Sequence, residues 1–286
     1  MEPTSTTQLT ADDGTRLALH LRGSGEPLLC LPGGPMLESG YLRDLGGLAA
    51  HRATARLDLR GTGASGTPAD PATYRCDRQV ADVEAVRRHL GLDRLDLLAH
   101  SAGANLAYRY AERHPDRVGR LLLVAPSTQG VGVHIPDEER SAVASSRSGE
   151  PWYADAAAAL VRVQAGSQDE ADWAGVSPFV HGRWDDDVRA YDAWMDERRD
   201  DSLAMAWGDE GAFDPEATRA ALARLDVPVR VVAGARDSGN PPEAMARVAA
   251  LFAQGELVVQ ESGGHFPWVD DPAGFVALVE DFVRRG

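Results

Sequence analysis

The 286-residue chain has no lysine, only two cysteines and no run of 18 apolar residues. Two cysteines, Cys30 and Cys76, are too few for a disulfide framework. We interpret Cys30, which lies in an apolar run, as a reduced and buried residue. Without a long apolar run, no transmembrane helix is expected. Residues 1–13 are polar and lack the apolar core of a signal peptide, so we predict a cytoplasmic protein without a membrane partner.

Positive charge is scarce as well, since 44 acidic residues outnumber 29 basic ones and the formal net charge is −15. Such a surface repels phosphates, which argues against nucleic-acid binding. The imbalance is concentrated in residues 137–214, which hold 19 acidic residues and 7 arginines. No sequence cluster is typical of a metal site, and we predict no cofactor. The expected partner is therefore a small-molecule or short-peptide substrate.

Short apolar runs alternate with stretches of helical spacing along most of the chain. This alternation predicts the α/β class, with a mostly parallel central sheet covered by helices on both faces. The predicted strands are a hairpin of Thr7–Thr10 and Leu17–Leu21, then Pro27–Leu31, Ala55–Leu59, Leu95–Ala99, Leu121–Val124, Val229–Val232 and Glu256–Val259. The predicted helices are Asp77–Leu90, Ala104–His114, Pro215–Leu225, Pro242–Phe252 and Asp271–Arg285.

Residues 131–213 differ from the rest, because they contain no clear strand and hold five of the six tryptophans. We predict a core in two parts, residues 1–130 and 214–286, interrupted by a helical insertion at 131–213. Two compatible interpretations of the insertion stay open. Its tryptophans can form a small core of their own, or the insertion can be a lid whose inner face makes the substrate pocket.

Three short segments carry the residue types of nucleophilic catalysis. Ser101, Asp237 and His265 each follow a short apolar run rich in Val or Leu. A hydroxyl is a poor nucleophile at neutral pH and needs a base to take its proton and an acid to orient that base. Ligands of such sheets bind beyond the carboxyl ends of the strands, where all three residues fall. The sequence therefore predicts a catalytic triad of Ser101, His265 and Asp237.

The segment around Ser101 has the small residues that a sharp strand-to-helix turn requires. Ala99 lies two residues before the serine and Gly103 two residues after it. The neighbouring His100 is expected to pack beside the turn, because the turn directs adjacent side chains away from the nucleophile. His265 is the better base, since it follows a late strand and two glycines that allow a tight loop.

An oxyanion hole needs two backbone N–H groups aimed at the developing negative charge. The residue after the nucleophile, Ala102, is expected to supply one of them. The second is expected from the glycine-rich loop after an early strand, where glycine lets the backbone approach closely. Gly33 is the first candidate for this donor and Gly34 the second.

With these motifs, the chain resembles the α/β-hydrolase superfamily over nearly its whole length and, within it, the proline iminopeptidase-like branch. The resemblance rests on Gly33-Gly34-Pro35, Tyr41-Leu42, the glycine-rich turn at residues 58–65 and the turn at Ser101. That branch usually has His-Gly-Gly-Pro-Gly, whereas here Pro32 replaces the His and Met36 replaces the last Gly. It also usually has Gly-x-Ser-x-Gly, where this chain has Ala-His-Ser-Ala-Gly. The oxyanion loop is therefore expected to be braced differently.

In that branch, lid glutamates bind the free amino group of the substrate, and two acidic segments here, residues 192–197 and 210–213, resemble the amine-binding segments. The implied amine ligands are Glu197 and Glu210, and Trp194 and Trp207 are the candidate substrate-binding residues of the lid interpretation. A buried carboxylate would reject acyl chains without an amine, because it would be left unpaired. Acidic helices are more often solvated faces, and that interpretation stays open.

We predict a serine hydrolase that cleaves an ester or amide bond of a small molecule through a Ser101 acyl-enzyme. Within this class, an esterase or lactonase and an aminopeptidase both stay open. Two alternatives use the same fold differently. One is acyl transfer or another biosynthetic reaction on the same triad, and the other is a non-catalytic small-molecule receptor.

Overall fold

The strands of the chain form a single sheet within residues 5–284, which the computed structural model describes. They are β1 (Ser5–Thr10), β2 (Arg16–Arg22), β3 (Leu28–Leu31), β4 (Thr54–Asp58), β5 (Leu95–His100), β6 (Val118–Val124), β7 (Val229–Gly234) and β8 (Gly255–Gln260). Their order across the sheet is β1-β2-β4-β3-β5-β6-β7-β8. Strand β2 pairs antiparallel with β1 and β4, and all other pairs are parallel. The predicted α/β class with a mostly parallel sheet is confirmed.

The helices are α1 (Val80–His89), α2 (Gly103–Arg113), α3 (Asp137–Ser145), α4 (Tyr153–Gln164), α5 (Glu170–Val176), α6 (Asp186–Asp196), α7 (Asp201–Trp207), α8 (Pro215–Leu222), α9 (Pro242–Ala249), α10 (Pro267–Asp270) and α11 (Pro272–Arg284). Each predicted helix of the core corresponds to one of these. Arg285, the predicted end of the last helix, and residues 1–4 of the polar amino-terminal segment lie outside the described residues.

The central strands are mostly apolar because both faces of the sheet are covered. Alternate residues of a strand point to opposite faces. In β3, Leu29 and Leu31 belong to a core packed by α1, α2, α8 and α9. Leu28 and Cys30 belong to a second core on the other face, packed by α6 and α11. The buried side chain of Cys30 is a free thiol, as predicted.

Residues 131–213, which the structure describes in full, contain helices α3 to α7 and no strand. Their five tryptophans do not form one core, so that interpretation is wrong. Trp152 packs in a small satellite cluster, whereas Trp184 and Trp194 pack against the sheet core next to α6. Trp207 is buried in the opposite core, and Trp173 is 52% exposed.

No helix among the described residues is both long and apolar enough to span a bilayer.

Candidate active site

Ser101 lies on a sharp turn between β5 and α2, with φ of +50°. This left-handed conformation is strained for a residue other than glycine, and such strained residues cluster at active sites. The turn is held by its neighbours, since the Ser101 N–H donates to the Val124 carbonyl at 3.0 Å and the Ser101 carbonyl accepts from Ser127 at 2.9 Å. A Cβ on Gly103 would lie 2.5 Å from the Pro32 carbonyl oxygen, so only glycine fits there.

Asp237 and His265, from the loops after β7 and β8, form a hydrogen bond of 2.7 Å between Asp237 Oδ2 and His265 Nδ1. The carboxylate is fully buried. Its other oxygen accepts from the Gly239 N–H at 2.8 Å and the Asn240 N–H at 3.1 Å. Because the acceptor side of this bond is a carboxylate, the proton of the neutral imidazole belongs on Nδ1. His265 Nε2 is thereby left with a free lone pair.

The loop that carries His265 is fixed by backbone contacts. The His265 N–H donates to the Val180 carbonyl at 2.6 Å. Asp270 Oδ2 accepts from the Gly264 N–H at 2.8 Å and from the Gly182 N–H at 2.9 Å. Burial raises the pKa of Asp270 despite these two donors. A Cβ on Gly264 would lie 2.4 Å from the Val180 carbonyl oxygen, so this glycine serves close approach between chain segments.

A cavity of about 640 Å³ opens over this edge of the sheet, and both Ser101 and His265 line it. Asp237 does not line the cavity and lies behind His265, bonded to the far nitrogen of the ring. The structure therefore places Ser101 and His265 on one cavity, with Asp237 bonded behind His265, although the three residues lie far apart along the chain. The volume suits a small molecule or a short peptide.

Two backbone amides beside Ser101 are available for an oxyanion. Ala102 and Gly34 both line the cavity, and neither N–H donates a hydrogen bond to another group of residues 5–284. Gly34 has φ of +118°, and a Cβ there would lie 2.6 Å from the Leu37 nitrogen, so only glycine fits. The Gly33 N–H is already engaged, because it donates to Tyr41 Oη at 2.7 Å. Gly34 therefore replaces Gly33 as the first candidate for the second oxyanion donor.

The predicted residues of the helical segment separate into two groups. Trp207 lines the cavity, whereas Glu197, Glu210 and Trp194 do not. The Glu197 side chain is 74% exposed and pairs with Arg198, whose guanidinium also lies over the Trp194 ring. Glu210 is exposed. The two glutamates implied by the resemblance therefore do not line the cavity.

The carboxylates that do line the cavity are Asp192 and Asp196, one turn apart on α6. Asp192 accepts from His181 Nε2 at 3.0 Å. Burial and the nearby Asp192 raise the pKa of Asp196. Both residues belong to the acidic segment singled out from the sequence, and their spacing of four residues is a signal that they share one face of a helix. That spacing does not say which face of the helix lines the cavity.

Other residues line the cavity without having been predicted as site residues. Arg140 of α3 lines the cavity and donates to the Gly239 carbonyl, next to the loop of Asp237. Tyr41 and His100 line its floor. No group of three or more His, Cys, Asp or Glu side chains in residues 5–284 is arranged to hold a metal ion.

Comparison with known proteins agrees with this architecture. The family model of the alpha/beta hydrolase fold matches residues 26–272. N-formylmaleamate deformylase of Pseudomonas putida is 29% identical over 280 residues, covering 93% of this chain and 91% of that protein. Proline iminopeptidase of Heyndrickxia coagulans is 24% identical over 273 residues, covering 92% of each chain. A thermophilic esterase from Thermogutta terrifontis superimposes with a TM-score of 0.68 at 22% identity, covering 98% of each chain.

Proposed function

The chain belongs to the α/β-hydrolase fold family, and from that membership and the geometry of the site we propose that it is a serine hydrolase of small-molecule esters or amides. One observation carries the proposal. A serine held at φ of +50° shares its cavity with a histidine whose far nitrogen bonds a buried carboxylate at 2.7 Å. This is the arrangement that makes a hydroxyl nucleophilic at neutral pH.

In the proposed reaction, His265 Nε2 takes the proton of Ser101 as the Oγ attacks the substrate carbonyl carbon. The imidazolium that forms is stabilised by Asp237, which keeps its own charge. The carbonyl oxygen becomes an oxyanion and accepts hydrogen bonds from the Ala102 and Gly34 N–H groups. Collapse of this intermediate breaks the ester or amide bond, and His265 gives its proton to the leaving alcohol or amine.

Water completes the proposed cycle. It attacks the acyl-enzyme carbonyl while His265 again accepts a proton. The second tetrahedral intermediate collapses to the carboxylic acid and regenerates the Ser101 hydroxyl. Every step uses proton transfer and backbone hydrogen bonds from this chain, so the scheme is complete without a cofactor.

A second candidate, an aminopeptidase, is favoured by the acidic wall of the cavity. Asp192 and Asp196 of α6 provide carboxylates where a substrate ammonium would be attracted. The relatives include a proline iminopeptidase as well as a deformylase. In this version of the proposal, α6 acts as part of a lid, and Asp192 and Asp196 take the role that the resemblance implied for Glu197 and Glu210.

A fluorophosphonate probe tests the proposal directly. We expect covalent labelling of the folded protein, with the modified peptide containing Ser101. Short-chain aryl esters and lactones should be assayed beside aminoacyl anilides with free and with acetylated amines. Failure of the folded chain to label and to cleave any of these substrates would exclude the hydrolase and favour a receptor. If acetylation of the amine leaves kcat/KM unchanged, the aminopeptidase candidate is excluded and the esterase remains.

A further inference from the structure

A continuous chain of hydrogen bonds runs beneath Ser101, from the oxyanion loop to the loop of the base. The Gly33 N–H donates to Tyr41 Oη at 2.7 Å. Tyr41 Oη lies 2.7 Å from His100 Nδ1, and His100 Nε2 lies 2.8 Å from the His265 carbonyl oxygen. Tyr41 and His100 are almost fully buried, with exposures of 1% each.

The direction of each bond follows from the groups at the two ends. The His265 carbonyl can only accept, so the ring proton of His100 lies on Nε2. The other nitrogen then has a lone pair and accepts from the Tyr41 hydroxyl. That hydroxyl oxygen in turn accepts from the Gly33 N–H. One arrangement of protons therefore satisfies every polar atom in this chain of hydrogen bonds. It requires a neutral imidazole at His100.

The surroundings favour this neutral form. Burial lowers the pKa of His100 well below its usual range, and the neighbouring His265 acts in the same direction. The titratable side chains in contact with the ring are Tyr41 and His265, and the other rings against it, Phe266 and Trp268, are uncharged. A second hydrogen bond fixes Tyr41 from behind, since Tyr191 Oη donates to the Tyr41 carbonyl at 2.8 Å.

Both ends of this chain of hydrogen bonds lie next to the groups that take part in the proposed reaction. Gly33 precedes Gly34, which lines the cavity, and a Cβ on Gly33 would lie 2.8 Å from the Ser101 Cβ. The other end is the backbone of His265 itself. Pro32, before Gly33, has neither a polar side chain nor an N–H with which to brace the loop. The bond to Tyr41 is therefore the polar contact that fixes the Gly33 amide.

We propose that Tyr41 and His100 are positioning residues that keep the oxyanion loop and the base loop in register on either side of Ser101. Neither touches the reacting atoms in this role. Tyr41 sets the peptide that leads into the Gly34 N–H, and His100 sets the backbone from which the His265 ring projects. The inference rests on the proposed serine hydrolase activity and adds how its two halves are held together.

The test is Tyr41→Phe, which removes one hydroxyl and keeps the ring. We expect kcat to fall about tenfold, less than the 10²–10³ lost when an oxyanion donor is removed outright, while KM stays nearly constant. Affinity for a trifluoromethyl ketone, which forms a tetrahedral oxyanion on serine, should fall by the same factor as kcat/KM. The matched control is Tyr110→Phe, which removes another buried hydroxyl, near the end of α2, that is bonded to Glu84 of α1 at 2.9 Å. That control should cost stability but leave kcat unchanged.

Two variants of His100 test the two ends of the chain of hydrogen bonds separately. His100→Asn keeps an acceptor near Nδ1 for Tyr41, and His100→Gln keeps a donor near Nε2 for the His265 carbonyl. We expect the Asn variant to retain more of the trifluoromethyl ketone affinity than the Gln variant. We expect the Gln variant to retain more of the wild-type pH profile of kcat/KM, because that profile reports the base.

The outcomes also separate this inference from the function on which it rests. If wild type labels with fluorophosphonate and Tyr41→Phe changes kcat no more than Tyr110→Phe does, the positioning role is wrong and the serine hydrolase stands. A fall in thermal stability without a fall in ketone affinity would reduce Tyr41 to a structural residue. If wild type neither labels nor hydrolyses, the proposed function itself fails.

Discussion

The two walls of the cavity differ in how their polar groups are held. The strand-end wall consists of the loops after β3, β5, β7 and β8, and its histidine, His265, is held from behind by the buried Asp237 carboxylate, which has three hydrogen-bond partners. The helical wall consists of the cavity-lining residues of α5, α6 and α7. There the Asp196 carboxylate has no hydrogen-bond donor among residues 5–284, and the Trp173 side chain is 52% exposed.

This difference has a physical reason. Catalytic groups must keep their geometry during the reaction, which requires side chains fixed by their neighbours. A group that binds the substrate is more selective when its polar atoms have no partner in the protein, because the correct ligand then supplies the missing hydrogen bond. We therefore infer that the strand-end wall would set the rate and the helical wall the substrate, a division that variants of each wall can test.

The largest effect is expected at the nucleophile. Ser101→Ala removes the attacking oxygen, and kcat should fall by a factor on the order of 10⁴–10⁶. Steady-state kinetics on the best ester of the panel measures this loss. Ser146→Ala, which changes an exposed serine at the end of α3, is the control and should keep wild-type rates. A loss of only a few-fold at Ser101 would contradict the proposed acyl-enzyme.

Removing the charge of the buried carboxylate should have the next largest effect. Asp237→Asn keeps the shape of the side chain but favours the wrong tautomer of His265, so kcat should fall by a factor on the order of 10⁴. KM should change little, because Asp237 does not line the cavity. Stopped-flow measurement of fluorophosphonate labelling should show the same loss in the rate at which Ser101 attacks phosphorus. A rise in KM of similar size would instead assign Asp237 to substrate binding.

A variant of the helical wall should instead change KM. Asp196→Asn removes a partly desolvated carboxylate, and the KM of aminoacyl substrates with a free amine should rise about fivefold. The KM of neutral esters should not change. Because burial and Asp192 raise the pKa of Asp196, the same rise in KM should appear in wild type as the pH falls through that pKa and the carboxylate is protonated.

Two further variants make this test selective. Asp186→Asn removes a charge from the exposed start of α6, where the side chain is fully accessible, and should leave every KM unchanged. Glu197→Gln compares the sequence-based candidate with the cavity-facing one. If Glu197→Gln raises the KM of amines and Asp196→Asn does not, the helical wall of the structure does not bind the amine.

The smallest effect is expected on stability. The native pKa of His100 lies well below the unfolded value near 6.5, so below that pH the unfolded state binds a proton that the native state does not. Stability should then fall as the pH drops, by up to about 1.4 kcal/mol per pH unit from this residue. His100→Gln should flatten the slope of unfolding free energy between pH 5 and 6.5 measured by urea titration. The same urea titration at pH 8, where His100 is neutral in both the native and the unfolded state, gives the part of the destabilisation by His100→Gln that does not depend on protonation. An unchanged slope would show that His100 titrates alike in both states.

Most of the fold could be predicted because its signals are local. An apolar run such as Leu95–Ala99 has the length of a buried strand, and Pro115 ends the helix that follows it. Strand ends were harder, since β6 begins three residues earlier than predicted, at Val118. The short helix α10 at Pro267–Asp270 was missed, because four residues give no periodic pattern.

The sequence by itself determined the order of strands and helices along the chain. It also determined that Ser101, Asp237 and His265 follow the ends of strands, because these features depend on neighbouring residues. Only the tertiary structure decided which glycine amide is free to serve the cavity, since Tyr41 occupies the Gly33 N–H. It also decided which carboxylate of α6 faces the cavity, because Asp196 and Glu197 differ by one position and about 100° around the helix. Both choices depend on contacts between segments far apart in the chain, and no local pattern encodes them.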